Sequence, residues 1–171
     1  MKIKNITRII AREANLEITG ATLLTVEEAE KLPMRLLFSS FTWWLRTPVI
    51  SKRNGWLTRN SYVAAVHNDG FISYENGDFV SANYYRVCPA LKISNLEKSG
   101  LKIGDTFEFG RREFEIISDD LALCLIGIAD YAFRDDWRAD DANDYEKSDV
   151  KKYIDEWFEK SIEESKEVVV F

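Results

Sequence analysis

SSFTWWLRTPVISKRNGWLTRN (39–60) carries three of the chain's five tryptophans and four of its cationic side chains. Whether Trp43-Trp44-Leu45-Arg46 is a binding surface or the centre of a core decides how the rest of the chain is read. In a strand, successive side chains point to opposite faces, so Trp43 and Leu45 face one way and Trp44 and Arg46 the other. One indole is therefore expected in the core and the other half-exposed. We read Trp43, Trp44 and Arg46 as architectural, with indoles filling core volume and Arg46 hydrogen-bonding backbone carbonyls where loops meet. The alternative for the same residues is ligand stacking.

Bulk properties bound the answer. A chain of 171 residues suits a single domain spanning 1–171 and buries roughly 70% of its extended surface on folding. Its 46% hydrophobic content and mean hydropathy of −0.27 place it among soluble globular proteins and not disordered ones. The net charge of −6 argues against direct nucleic-acid binding, which needs clustered Lys and Arg. No apolar run approaches the ~20 residues of a membrane span, and the N-terminus lacks the apolar core and cleavage site of a signal peptide. Cys88 and Cys124 sit in apolar runs without metal or redox spacing, so they are expected as buried reduced thiols in a cytoplasmic protein.

Outward from the Trp motif, Ile3, Ile6, Ile9 and Ile10 suggest a helix near 3–14, and ATLLT (21–25) a short buried strand. Thr25 and Glu28 form a capping box for a helix that Pro33 closes. YVAAVH, Asn68-Asp69-Gly70 and FISY make a hairpin, with a further turn at Asn76-Gly77-Asp78. RVCPALKI (86–93) reads as one strand in which Pro89 implies an edge or a bulge. TFEF and EFEII flank Gly110-Arg111-Arg112 as another hairpin, and LALCLIGI (121–128) is a central strand. Val150, Tyr153, Ile154, Trp157 and Phe158 line one face of a closing helix. The expected class is α+β, mostly antiparallel, with two or three helices.

Three motifs, WWLRTP (43–48), VHNDGFISY (66–74) and RVCPALKI (86–93), together resemble a functionally uncharacterised domain family of Gram-positive bacteria and their phages. Its hallmarks are a Trp-Trp-Leu-Arg-Ser-Pro-like motif, a Val-x-x-Asp-Gly hairpin and a closing Val-Arg-Pro-Ala-Leu. The family's usual opening half is similar to residues 103–126 followed by 145–158, which here come after the Trp motif. The order looks circularly permuted, with a seam near 95–100. By fold-level analogy the resemblance extends to C-type-lectin-like modules, including formylglycine-generating-enzyme relatives. Two positions depart from the pattern. Cys88 replaces the arginine of Val-Arg-Pro, with Arg86 two residues earlier as the candidate substitute, and Val49 replaces a small residue.

Two loops are candidate contact sites, because function concentrates on such segments. Residues 49–60 hold Lys52, Arg53 and Arg59 and no acid, with Trp56 among them, a hot-spot composition. Residues 135–149 hold seven acids, including Asp135, Asp136, Asp140 and Asp141, against two bases, a net charge of −5. The glycine of a calcium loop is missing there, so no metal is expected. His67 is the only histidine and lacks a nucleophile or orienting partner placed by sequence. No nucleophile-elbow, Walker or Rossmann pattern occurs, and no cofactor or catalytic residue is assigned. The expectation is a non-enzymatic recognition module for a protein partner, associated with phages or mobile elements. Two alternatives stand beside it. One is an anti-CRISPR or anti-restriction inhibitor that presents its acidic surface to a nucleic-acid-binding host protein, and the other is a glycan-binding domain.

Overall fold

The computed structural model describes residues 9–50 and 60–167. The described chain is α+β, with two mostly antiparallel sheets. The first sheet contains β1 (Ile9–Ile10), β2 (Glu17–Thr22), β7 (Ala90–Ser94), β8 (Thr106–Phe109), β9 (Arg112–Ile116) and β10 (Leu121–Cys124), in the order β1-β8-β9-β10-β7-β2. The second contains β3 (Trp43–Pro48), β4 (Tyr62–Val66), β5 (Asp78–Phe79), β6 (Arg86–Val87) and β11 (Ala129–Asp130), in the order β11-β6-β3-β4-β5. Three short helices, α1 (Val26–Glu30), α2 (Met34–Leu37) and α3 (Leu96–Ser99), precede the long α4 (Asp149–Glu167).

The Trp motif is the middle strand of the second sheet, and that sheet is covered on both faces. Trp43 and Leu45 join Ala64, Val66, Leu121 and Leu123 in the core between the sheets. Trp44 points the other way, among Val63, Ala65, Phe133, Tyr145, Val150 and Ile154. The expectation of one half-exposed indole is therefore corrected: Trp43 is 2% exposed and Trp44 0%. Alternation holds, but residues 133–145 and the first turns of α4 cover the face that a one-sided sheet would leave to water. The far face of the first sheet holds a third cluster of Phe107, Phe109, Phe114 and Ile116, against which Trp157, Phe158 and Ile162 of α4 pack.

Several elements form as the local chemistry dictates. Thr25 Oγ1 accepts from the Glu28 amide at 3.2 Å while Glu28 Oε1 accepts from the Thr25 amide at 2.9 Å, completing the capping box. Pro33 ends that segment and serves as the N-cap of α2. The β8–β9 hairpin turns through Gly110 and Arg111, both with positive φ (57° and 62°), as its two-residue turn requires. LALC forms β10 between β9 and β7. In the 67–74 hairpin, FISY returns to β4 through the Val66–Ile72 bridge, the His67 amide bond to the Phe71 carbonyl at 2.8 Å and the Ser73 amide bond to the Ala65 carbonyl at 3.0 Å.

Other expectations fail for identifiable reasons. Among the described residues of the 3–14 segment there is no helix. Ile9 and Ile10 pair in parallel with Phe107 and Glu108, and the chain then turns through Asn15 at φ 55°. The apolar spacing beyond Ile10 belongs to a packed turn, with Ala11, Ala14 and Leu16 buried. The strand read in ATLLT begins earlier, at Glu17, and ends at Thr22. RVCPALKI is two strands, not one. Proline cannot donate to a ladder, and at Cys88-Pro89 the chain leaves the second sheet and enters the first. Pro89 thus marks a junction between sheets, and its carbonyl accepts the Cys124 amide at 3.0 Å.

Around the expected seam, Asn95 (φ 67°) and Gly100 (φ 77°) bracket α3. The strands on either side of it share one sheet, because β7 lies between β2 and β10. No helix among the described residues is long and apolar enough to cross a membrane.

Candidate functional site

Asp135, Asp136 and Asp140 are exposed, whereas the segment that carries them is anchored on its inner side. Ala142 and Tyr145 are buried against Trp44's neighbours. Burial raises the Tyr145 hydroxyl to a pKa of about 12. Asp149 Oδ2 accepts from the Asp135 amide at 2.7 Å, and Asp144 caps the short 3-10 helix Tyr145–Lys147. Asp141 is tied into the fold by Arg134 at 3.2 Å and Lys147 at 3.5 Å. Asp135, Asp136 and Asp140 have no ion-pair partner among the described residues. Asp135 and Asp136 also border a polar cavity of about 440 Å³, together with Tyr131 and Tyr153, whose ring centroids lie 4.8 Å apart. Among the described residues no group of three potential ligands is placed to hold a metal ion.

The basic loop's Lys52, Arg53, Trp56 and Arg59 lie outside the described residues. Where that loop ends, Asn60 donates to the Asp140 carbonyl at 2.8 Å and Ser61 donates to the Trp137 carbonyl at 2.6 Å. The end of the cationic stretch is thus fastened to the acidic one, two segments some 80 residues apart in sequence. Trp137 itself is half-buried between the Phe79 ring at 5.4 Å and the Arg138 guanidinium at 4.7 Å.

The arginines of the Trp and Val-x-Pro motifs have different surroundings. Among the described residues, no loop carbonyl accepts from the Arg46 guanidinium, contrary to expectation. It faces Glu28 at 3.8 Å, and its buried Nε has no partner. Both groups are about a third exposed and stand 3.8 Å apart, so the pair adds little stability in water. Arg86 takes the carbonyl role instead, donating to Ile126 O at 2.9 Å and to Asp130 at 2.7 Å while lying over the Phe41 ring. Gly127, at φ +90°, lets Arg86 pass, because a Cβ there would collide with the arginine's Cγ and Cδ. Cys88 and Cys124 are buried free thiols, and desolvation raises the pKa of both.

His67 has the partner that sequence reading did not place. Its Nε2 lies 2.9 Å from Asp78 Oδ2, which also accepts from Ser73, while Tyr85 donates to Asp78 Oδ1 at 2.6 Å. Burial and the bond to Asp78 raise the Tyr85 hydroxyl pKa. The signal was present in the turn at 76–78, because a chain returning along β4 brings residue 78 back beside Val63. A nucleophilic relay sets the histidine between acid and hydroxyl. Here the acid stands between His67 and Ser73, so the cluster ties the hairpin together. Asp78→Ala strands three donors and is expected to cost about 2–4 kcal/mol. Thermal melting checks this, and a variant melting within a degree or two of the parent would remove the structural role.

A second buried acid was also missed. Glu115 receives both terminal nitrogens of Arg35 at 2.7 Å, a fork-to-fork pair across 80 residues, with the carboxylate 8% exposed. The pair raises the Arg35 pKa. It stands beside a cavity of about 250 Å³ bordered by Phe41, Trp43, Cys88, Leu123 and Cys124. Comparison with known protein families, curated proteins and solved structures finds no match for this chain.

Proposed function

We propose that this protein is a non-enzymatic recognition module whose contact surface is the rim formed by residues 135–149 and the end of the 49–60 loop. The observation that carries the reading is the division of labour within the acidic segment. Asp141, Asp144 and Asp149 brace the segment from within while Ala142 and Tyr145 root it in the core, and Asp135, Asp136 and Asp140 are left exposed. A surface that is fixed before binding loses little conformational entropy on association. Its charge suits a basic protein partner, and carboxylates so displayed can stand in for phosphates in a nucleic-acid-binding groove. A host nuclease, inhibited by this chain, is therefore the partner class that the surface fits best.

Reversal of Asp135, Asp136 and Asp140 to lysine should leave the melting temperature close to that of the parent, because exposed substitutions of this kind usually change stability by less than about 0.5 kcal/mol. Binding of the captured partner should fall at least tenfold. The parent's binding should weaken as salt rises, since charges beyond about 8 Å are screened at physiological ionic strength. Reversal of Lys52, Arg53 and Arg59 to glutamate is the comparison, and it should have the smaller effect. If both triple variants fold and bind as the parent does, the rim is not the contact surface.

A further inference from the structure

The cavity between the sheets is the feature that the rim does not use. It is a cleft of about 250 Å³ that opens to solvent where Arg35 and Phe38 stand exposed. Phe41, Trp43, Cys88, Leu123 and Cys124 line it, together with the charged pair Arg35 and Glu115. The thiols contribute soft apolar surface, because burial keeps them protonated.

We propose that this cavity binds a small aromatic or branched aliphatic carboxylate, with the apolar body against Phe41, Trp43 and Leu123 and the carboxylate on Arg35. The polar groups decide the sign of the charge. Arg35 has five N–H donors, and the bonds to Glu115 engage its two terminal nitrogens, one to each carboxylate oxygen. Its side chain is 60% exposed, so further donors are accessible. The Ser39 hydroxyl is already spent on the Phe41 backbone, donating to its carbonyl and accepting from its amide at 3.3 Å. Glu115 keeps lone pairs but is only 8% exposed, whereas Arg35 presents its remaining N–H groups at 60% exposure, so an incoming anion meets free donors where a cation meets a covered acceptor.

The test titrates the full-length, 15N-labelled and methyl-labelled protein with phenylacetate, and separately with phenethylamine. A probe of this size should bind with a Kd on the order of a millimolar. The Trp43 indole resonance, identified by its loss in Trp43→Phe, and the Leu123 methyls should shift saturably with phenylacetate. Phenethylamine should bind at least tenfold more weakly. The double variant Arg35→Met/Glu115→Gln leaves no buried charge unpaired and should lose that preference. Should it not fold, Arg35→Lys keeps the charge but not the fork, and should weaken phenylacetate several-fold. Absence of a saturable shift at Trp43 and Leu123, or equal binding of the amine, overturns the proposal. None of these outcomes bears on the acidic rim.

Discussion

Trp44→Ala should lower the melting temperature by roughly 10 °C, the largest single-residue effect expected in this protein. Truncating a buried tryptophan costs about 3–5 kcal/mol in transfer and cavity terms. In a chain of this length each kcal/mol corresponds to roughly 2–4 °C. The site allows little relaxation to reduce the cost. The ring stands 4.5 Å from Tyr85 and 5.7 Å from Phe133, centroid to centroid, and is held from opposite sides by β4 residues and α4. The indole also donates to the Tyr131 carbonyl at 2.8 Å, which loses that donor in the variant. Trp44→Phe keeps most of the volume and should recover more than half of the loss. A Trp44→Ala protein melting within a degree or two of the parent would show that the second face of the sheet is not a core.

Residues 1–98 expressed alone should give an aggregating product without a cooperative thermal transition. The cut removes β8, β9 and β10, so β7 loses its partners at Leu121, Ala122 and Leu123 and becomes an open edge. It also removes Phe133, Tyr145, Val150 and Ile154, leaving Trp44 uncovered. The two halves share one inter-sheet core, since Trp43 packs with Leu121 and Leu123. Adding residues 99–171 in trans should restore some soluble material. A fragment that remains soluble and melts sharply would instead show two independent folding units separated near residue 98.

The α+β class, the capping box at Thr25, the 110–111 turn and the amphipathic α4 were legible in the sequence, because each is a periodicity or a local bond closed within a few residues. The acidic character of residues 135–149 was legible for the same reason. What the sequence left open lies in contacts that no local pattern encodes. The same alternation in Trp43-Trp44-Leu45 suits a sheet with one wet face or two dry ones, and only the placement of residues 133–145 and α4 makes it the latter. Arg35 meets Glu115, Asn60 meets Asp140 and Ser61 meets Trp137 across 76 to 80 residues. Those pairings follow from the chain's passage between sheets at Cys88-Pro89 and its return through β10. A strand's period fixes which side chains share a face, but the packing of the whole chain determines what that face meets.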